Sequence, residues 1–302
     1  MESVPCNLCG SSQGVVVRNI NELRYGRGVK FCLIRCRRCN LVYLNPRPGE
    51  QEIHAYYPPG YQAAIRDITQ QVRGSWIGRV GIKLVIRRNR TPPLAKTGRL
   101  LDIGCASGYY MAAMRDMGWE TYGVEVDAEA AEYAREHYGL DVRTGMAEST
   151  LENFLDSYFD VVTIWHVLEH LFDPSLVLTE VYRVLKPGGM LMLEMPNFDS
   201  LPASVFGAYW FPLEIPRHLY HFTPQTLETM LAKTGFRLIK LTGVAAPIEI
   251  VWSLHTLWCQ LTGASQDGRL VWSPALMLLL YPIDWVLSRF KLSTFFGAVA
   301  IR

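Results

Sequence analysis

Arg99-Leu100-Leu101-Asp102-Ile103-Gly104-Cys105-Ala106-Ser107-Gly108-Tyr109-Tyr110 reads as a buried strand that turns through glycines into a helix. Leu100, Leu101 and Ile103 run apolar without clean alternation, as in a parallel strand covered on both faces. A turn opens at Gly104, and Ala112, Ala113 and Met114 begin the helix. Glycine lacks a Cβ and accepts positive φ, so such a turn lets a ligand approach the backbone closely. Outward from this turn, Glu120–Asp127 reads as the next strand. It brings Glu125, with Asp127 beside it, about twenty residues past the glycines, where a nucleotide-binding fold sets a carboxylate against ribose hydroxyls. Tyr158–Ile164 is a third buried strand, and Arg183–Glu194 holds a helix end, a Pro-Gly-Gly turn and a fourth strand.

The segments LDIGCASG, YGVEVD, FDVV with TIWHVLEHL and DP, and RVLKPGG together resemble the class I S-adenosylmethionine-dependent methyltransferases. The likeness runs over roughly Leu100 to Asn197 and rests on the combination, since each piece alone is weak. It implies an α/β, Rossmann-like sheet of seven strands, with the methyl donor at Asp102, Gly104, Cys105, Ala106, Gly108, Glu125, Val126, Met146, Ala147 and Trp165. Met146 stands where many relatives carry an acid. Asp141–Thr144 reads as a short strand, Phe236–Leu241 as the sixth strand and Thr294–Arg302 as the seventh. The resemblance pairs the last two antiparallel at one edge.

The chain of 302 residues is long enough for one large domain and a smaller one. The expected division is a zinc ribbon at 1–48, a linker and helical segment at 49–97, and a methyltransferase domain at 98–302 with an apolar helical insertion at 242–293. A net charge of +2 with both signs interspersed excludes a dedicated nucleic-acid binder. The start MESVPCNLCG has neither a basic region nor an apolar run of a signal peptide, so a cytoplasmic protein is expected. Seven cysteines in such a chain read as metal ligands or free thiols. Cys6-x-x-Cys9 and Cys36-x-x-Cys39 form two knuckles around a strand pair, the spacing of a structural zinc site closed by four thiolates. A module this short needs such a staple. Cys32 is left over.

Two clusters compete for the chemistry. His166, Glu169 and His170 lie at i, i+3 and i+4, one face of a helix, and imidazoles with a carboxylate can hold a divalent metal. They resemble the E-x-x-E-H metal sites of ubiquinone-pathway and small-RNA O-methyltransferases, with His166 in place of the first Glu. The other reading is a hydrogen-bonding role without metal. The second cluster is the proline- and aromatic-rich stretch Trp210–Pro224, with His218 and His221 just before a helix capped by Thr223. A histidine there is a candidate general base; alternatively, His221 packs in the core and His218 bonds a backbone carbonyl. The loop resembles the Y-H-E-H-L-x-Y-F-S segment of deoxysugar C-methyltransferases, which carry a similar N-terminal zinc module. That likeness puts their base on His218 and implies a polyhydroxyl acceptor. Arg217 stands for their Glu and Ile215 for their Tyr, so O-methylation fits what remains, with Arg217 a candidate to pair a phosphate or carboxylate of the acceptor.

Ile77–Arg90 reads as a basic amphipathic helix, packed on the domain or laid on an anionic membrane. Ile248–Cys259 and Val271–Leu287 read as an apolar hairpin, the second broken by Pro274, Pro282 and Asp284 and too short to span a bilayer. It covers the active site, forms a homodimer, or enters a membrane interface. Three functions follow. One is methylation of a hydroxyl on a sugar or similar small acceptor, which a lipid-linked sugar would reconcile with hairpin and basic helix. Another is methylation of an isoprenoid or aromatic hydroxyl with a metal at His166, Glu169 and His170. The last is a non-catalytic zinc-ribbon interaction protein, for which an intact donor turn would be superfluous.

Overall fold

The computed structural model describes residues 1–21, 29–57, 90–264 and 274–302. Most of the Ile77–Arg90 segment and the turn of the apolar hairpin lie outside the described residues. The strands are β1 (Gly14–Asn21), β2 (Lys30–Cys36), β3 (Val42–Leu44), β4 (Arg99–Ile103), β5 (Glu120–Glu125), β6 (Asp141–Thr144), β7 (Phe159–Trp165), β8 (Leu185–Pro196), β9 (Tyr220–His221), β10 (Arg237–Val244) and β11 (Phe295–Ile301). The longer helices are α1 (Tyr109–Asp116), α2 (Ala128–Tyr138), α3 (Pro174–Val184), α4 (Pro224–Lys233), α5 (Pro247–Thr262) and α6 (Pro274–Arg289).

Seven strands form one sheet in the order β10-β11-β8-β7-β4-β5-β6, the α/β Rossmann-like sheet the sequence leads one to expect. β4 to β8 run parallel, and β11 is antiparallel to both β8 and β10. β4 is apolar on both faces because both are covered. Leu101 and Ile103 join the core that includes Val177, Val181 and Leu227, while Leu100 packs with Tyr110 and Met114 of α1. Strand order reverses on either side of β4, so the crevice at its carboxyl end is where such a sheet accepts a ligand. α2, α3 and α4 start on side-chain caps: Asp127 accepts from Ala130 N, Asp173 from Leu176 N and Thr223 from Thr226 N.

A second sheet has the order β1-β2-β3-β9 and is antiparallel. β1 and β2 are the strand pair between the two Cys-x-x-Cys knuckles. Its last strand comes from elsewhere: Val42 pairs with His221 and Tyr43 with Tyr220, while Leu44 N donates to Leu219 O at 2.8 Å. The N-terminal sheet is thus completed by the histidine-bearing loop. Asn7 adds a second tie. Its Nδ2 donates to Asp173 Oδ1 at 2.8 Å and its Oδ1 accepts from Ser175 N at 3.1 Å, at the start of α3. α5 and α6 occupy the chain between β10 and β11, and no helix among the described residues is long and apolar enough to cross a membrane.

Candidate active site

The turn after β4 holds Gly104 at φ +73°, Ala106 at +47° and Gly108 at +76°. Gly104 is required twice over, since a Cβ there would sit 2.3 Å from Cγ2 of Val167 as well as demanding a left-handed residue. The same contact presses the loop after β7 against the turn. Glu125, buried at the end of β5, accepts from Ala106 N (2.8 Å) through Oε2 and from Asp127 N (2.9 Å) through Oε1. Each oxygen keeps a further lone pair, the arrangement a pair of ribose hydroxyls needs. Val126 beyond it is an apolar side chain left exposed. Gly145 N donates to Glu125 O at 2.8 Å, so Gly145, Met146 and Ala147 stand next to it at the end of β6. On the other flank, Asp102 is buried and accepts from Thr163 Oγ1 at 2.6 Å. Burial pushes its carboxyl up to about 7. Trp165 meets Tyr110 edge-on with ring centroids 5.6 Å apart, and Arg90 lies over its ring. Cys105 turns its side chain inward between Gly123 and Met111, leaving its backbone on the turn. The residues expected from sequence at the donor therefore gather at the carboxyl ends of β4, β5, β6 and β7.

The loop after β7 differs from expectation. His166 to His170 is not a helix with one metal-binding face; only Leu168–His170 makes a single 3-10 turn, and His166 has φ +57°. That left-handed residue swings His166 toward β8, where Nε2 lies 2.9 Å from Glu194 Oε1 and its ring rests on Phe295. Its Nδ1 is 3.9 Å from Glu169. Arg90 Nη2 donates to the same Glu194 oxygen at 2.5 Å. Burial would raise Glu194, but the charges and hydrogen bonds of Arg90 and His166 hold it down at about 2. Burial would lower His166, and Glu194 and Glu169 outweigh it, so that imidazole is raised.

Glu169, His170 and His218 are brought together instead, with one ligand atom of each within 4.8 Å of the others. His218 sits on the carbonyl side of Pro212, Nδ1 to O 2.8 Å, and His170 on that of Arg217, 3.0 Å. A carbonyl partner assigns the proton to Nδ1 in both rings and leaves the lone pair on Nε2. Burial lowers His170 to about 4 and His218 well below the usual range, so both are neutral. Glu169 is buried, neither oxygen has a hydrogen-bond partner among the described residues, and burial raises its carboxyl to about 7. His218 Nε2 is 3.4 Å from Glu214 Oε2, and Glu214 Oε1 accepts from Arg217 at 3.0 Å. Arg217 lies over the Tyr57 ring and is buried, not presented to solvent. His221 is set in β9, packed on Phe198 with centroids 5.4 Å apart, and burial drops it to about 3.

A methyltransferase-domain family model matches residues 81–241. The chain belongs to the S-adenosylmethionine-dependent methyltransferases. This methyltransferase is 32% identical over 186 residues to the ubiquinone biosynthesis O-methyltransferase of Brucella anthropi, covering 57% of this chain and 74% of that protein. Its fold is similar to that of a SAM-dependent methyltransferase from Archaeoglobus fulgidus (TM-score 0.53, 23% identity, 78% of this chain and 98% of that one). It is also similar to phosphoethanolamine N-methyltransferase 2 of Haemonchus contortus in complex with S-adenosyl-L-methionine (TM-score 0.55, 18% identity, 86% of this chain and 62% of that one). The crevice fits the donor of this methyltransferase family: a carboxylate pinned by two amides, a backbone cradle at Gly104–Gly108 and an open apolar rim at Val126.

The four cysteines of the methyltransferase's N-terminal sheet also converge. Cys6, Cys9, Cys36 and Cys39 offer sulfurs within 4.8 Å of one another, with Cys6–Cys39 and Cys9–Cys36 both at 3.4 Å. A tetrahedron with Zn–S arms of about 2.3 Å has edges of about 3.8 Å, so this donor set fits zinc. Cys32 lies outside the cluster. Two residues of the methyltransferase site escaped sequence reading. Glu194 was legible only as an acid ending an apolar strand, and Glu214 only as a loop acid beside a proline. A polar depression of about 430 Å³ lies at the opposite, amino ends of the strands, walled by the pairs Arg99–Glu120 and Lys186–Asp160. Ligands of such sheets bind at the carboxyl ends.

Proposed function

We propose that this methyltransferase methylates a hydroxyl on the sugar-type head of a lipid-linked acceptor, with His218 as base. The state of His218 carries the reading: Nδ1–H is spent on Pro212 O at 2.8 Å, so Nε2 keeps a lone pair in the loop layer that borders the donor turn. Bound S-adenosylmethionine supplies a sulfonium methyl whose leaving group needs no acid. The protein has to hold the acceptor oxygen in line with that methyl and remove one proton. Glu125 and the Gly104–Gly108 turn would hold the nucleoside end, with Met146 and Ala147 flanking its base. His218 Nε2 would take the hydroxyl proton as the oxygen–carbon bond forms, and Glu214, 3.4 Å away, would steady the imidazolium until the proton leaves. His166 belongs to the Arg90–Glu194 array and would set the floor of the site, and His221 would anchor the loop. The N-terminal module, which we take to be closed by a structural zinc at Cys6, Cys9, Cys36 and Cys39, supports a polyhydroxyl acceptor through the likeness of module and loop to deoxysugar methyltransferases.

A second reading is favoured by one observation: the buried Glu169 carboxylate has no partner among the described residues, and His170 and His218 offer Nε2 beside it. Those three atoms suit a divalent metal better than the set His166, Glu169 and His170, because Nε2 of His166 faces Glu194. A metal there would polarise a phenolic hydroxyl, and a relative named for ubiquinone biosynthesis is in keeping with a phenol. The test is labelled-methyl transfer to polyprenyl-linked sugars and to prenylated phenols. His218→Ala should bind S-adenosylhomocysteine as wild type does and lose about 100-fold or more in turnover. Wild-type turnover in that variant would remove the base assignment. Activity on phenols alone, stimulated by added divalent metal and lost in Glu169→Gln, would establish the second reading.

A further inference from the structure

α5 follows β10 directly and α6 leads into β11, so the hairpin is rooted where Val244 pairs with Phe295. Phe295 also pairs with Pro196 and rests on His166. The root therefore lies at the carboxyl ends of the parallel strands, on the rim of the active site. α5 packs one face on the histidine loop, with Trp252 stacked on Phe211, and α6 packs on β10, while the opposite faces of both helices are exposed. Leu261, Leu278 and Leu279, at the far end, are 77%, 75% and 69% exposed. Nearer the root come exposed Trp258, Tyr281 and Trp285, interleaved with Ile283 and Val286 and followed by Phe290, which is 71% exposed. Nearest it are the exposed cations Arg289 and Lys291.

We infer that this hairpin docks the methyltransferase on an anionic lipid surface. Three observations select lipid over a second copy of the chain. An exposed apolar face runs along α6 and just past it, from Leu278 to Phe290, and carries the cations Arg289 and Lys291 at its root, a combination that suits acyl chains with anionic phosphates beside them. Along α6 the distance from Leu278 to Arg289 is about 16 Å of helix rise, a monotopic insertion and not a crossing. Exposed positions on α6, from Tyr281 round through Leu278 and Leu279 to Ile283, cover about 200° of the helix at 100° per residue, about twice the stripe that a rigid partner would bury. Acidity is also withdrawn from this face. Among the described residues of 250–292 the single carboxylate is Asp284, which is fully buried and accepts from Ala246 N at 2.5 Å. The inference stands apart from the acceptor assignment, because its test does not require turnover.

The full chain is floated with vesicles of phosphatidylcholine, with and without phosphatidylglycerol. Wild type should rise with the anionic vesicles, with a blue shift of tryptophan emission. The variant Leu261→Glu with Leu278→Glu should lose at least ~10-fold in partitioning. Arg289→Glu with Lys291→Glu should lose the preference for anionic lipid. Retained S-adenosylhomocysteine binding and unchanged melting report that the variants are folded. Folded wild type that stays with neither vesicle overturns the inference, as does a tip variant that binds unchanged. A concentration-dependent dimer that vesicles cannot dissociate, and that the tip variant abolishes, would assign the face to a second copy instead.

Discussion

The donor turn is shaped by the neighbouring strands and the segments that directly follow them: Val124 O accepts from Gly104 N, Glu125 accepts from Ala106 N, Val167 closes against Gly104, and Ala134 of α2 packs on Gly108. The histidine loop is shaped by a segment far away in the chain, the N-terminal sheet. Leu44 holds Leu219, Val42 and Tyr43 pair with His221 and Tyr220, and Arg47 donates to Tyr220 Oη (3.1 Å) and Phe172 O (3.0 Å). A local site can be built and kept by its own strand and turn. A site made of remote pieces depends on whatever holds the remote piece, here the four-cysteine cluster. The donor and acceptor sides should therefore fail separately.

The sharpest way to break this contrast is to remove the staple. Cys36→Ser, or metal stripping with a strong chelator, should reduce methyl transfer by about 100-fold or more, as expected for a zinc-dependent small module. Binding of S-adenosylhomocysteine, followed by calorimetry, should change little. Equal loss of both would mean that the two sides are one cooperative unit. The reciprocal change is Gly104→Arg, which puts a side chain on Val167 at a positive-φ position and should abolish donor binding. The cysteine cluster should still take up one zinc per chain, read by metal analysis. Next in size is Phe222→Ala, which empties a fully buried site beside β9 and should cost roughly 3–5 kcal/mol, read as a lowered denaturation midpoint.

Asp102 tests the donor wall alone. Burial raises its folded pKa to about 7 from 3.8, so the fold prefers the protonated acid and loses stability as pH rises between those values. Asp102→Asn removes that loss. Without donor, the variant should match wild type near pH 4 and exceed it by up to about 4 kcal/mol above pH 7, by urea unfolding. A difference independent of pH would show that Asp102 is ionised in the free protein. The smallest effect is expected at the amino ends of the strands. Arg99→Ala breaks an exposed pair with Glu120 and should cost under about 1 kcal/mol, with donor binding and turnover intact.

The same contrast explains what the sequence revealed. The sheet and its glycine turn were legible because apolar runs and glycines encode them locally. The pairing of β3 with β9 has no local signature, as nothing in Leu41–Leu44 names Tyr220 or His221 as its partner. The helix expected over His166–His170 failed because His166 takes a left-handed backbone without being glycine, and spacing cannot foresee that. Glu194 looked like the polite end of a strand, yet it gathers Arg90 and His166. Asp284 looked like a break in an apolar helix; it faces inward and ties α6 to Ala246.

β11 lies between β8 and β10 although it follows both in the chain. Until Phe295–Ile301 leave the ribosome, β8 has a bare edge bearing Met190 to Met195, and β10 has no sheet to join. Such an edge is a template for pairing with other chains. The nascent methyltransferase thus passes through a stage in which its donor strands are already made but its sheet cannot close. Its yield in a cell should depend on how quickly β11 follows, and on chaperone capacity while the edge waits.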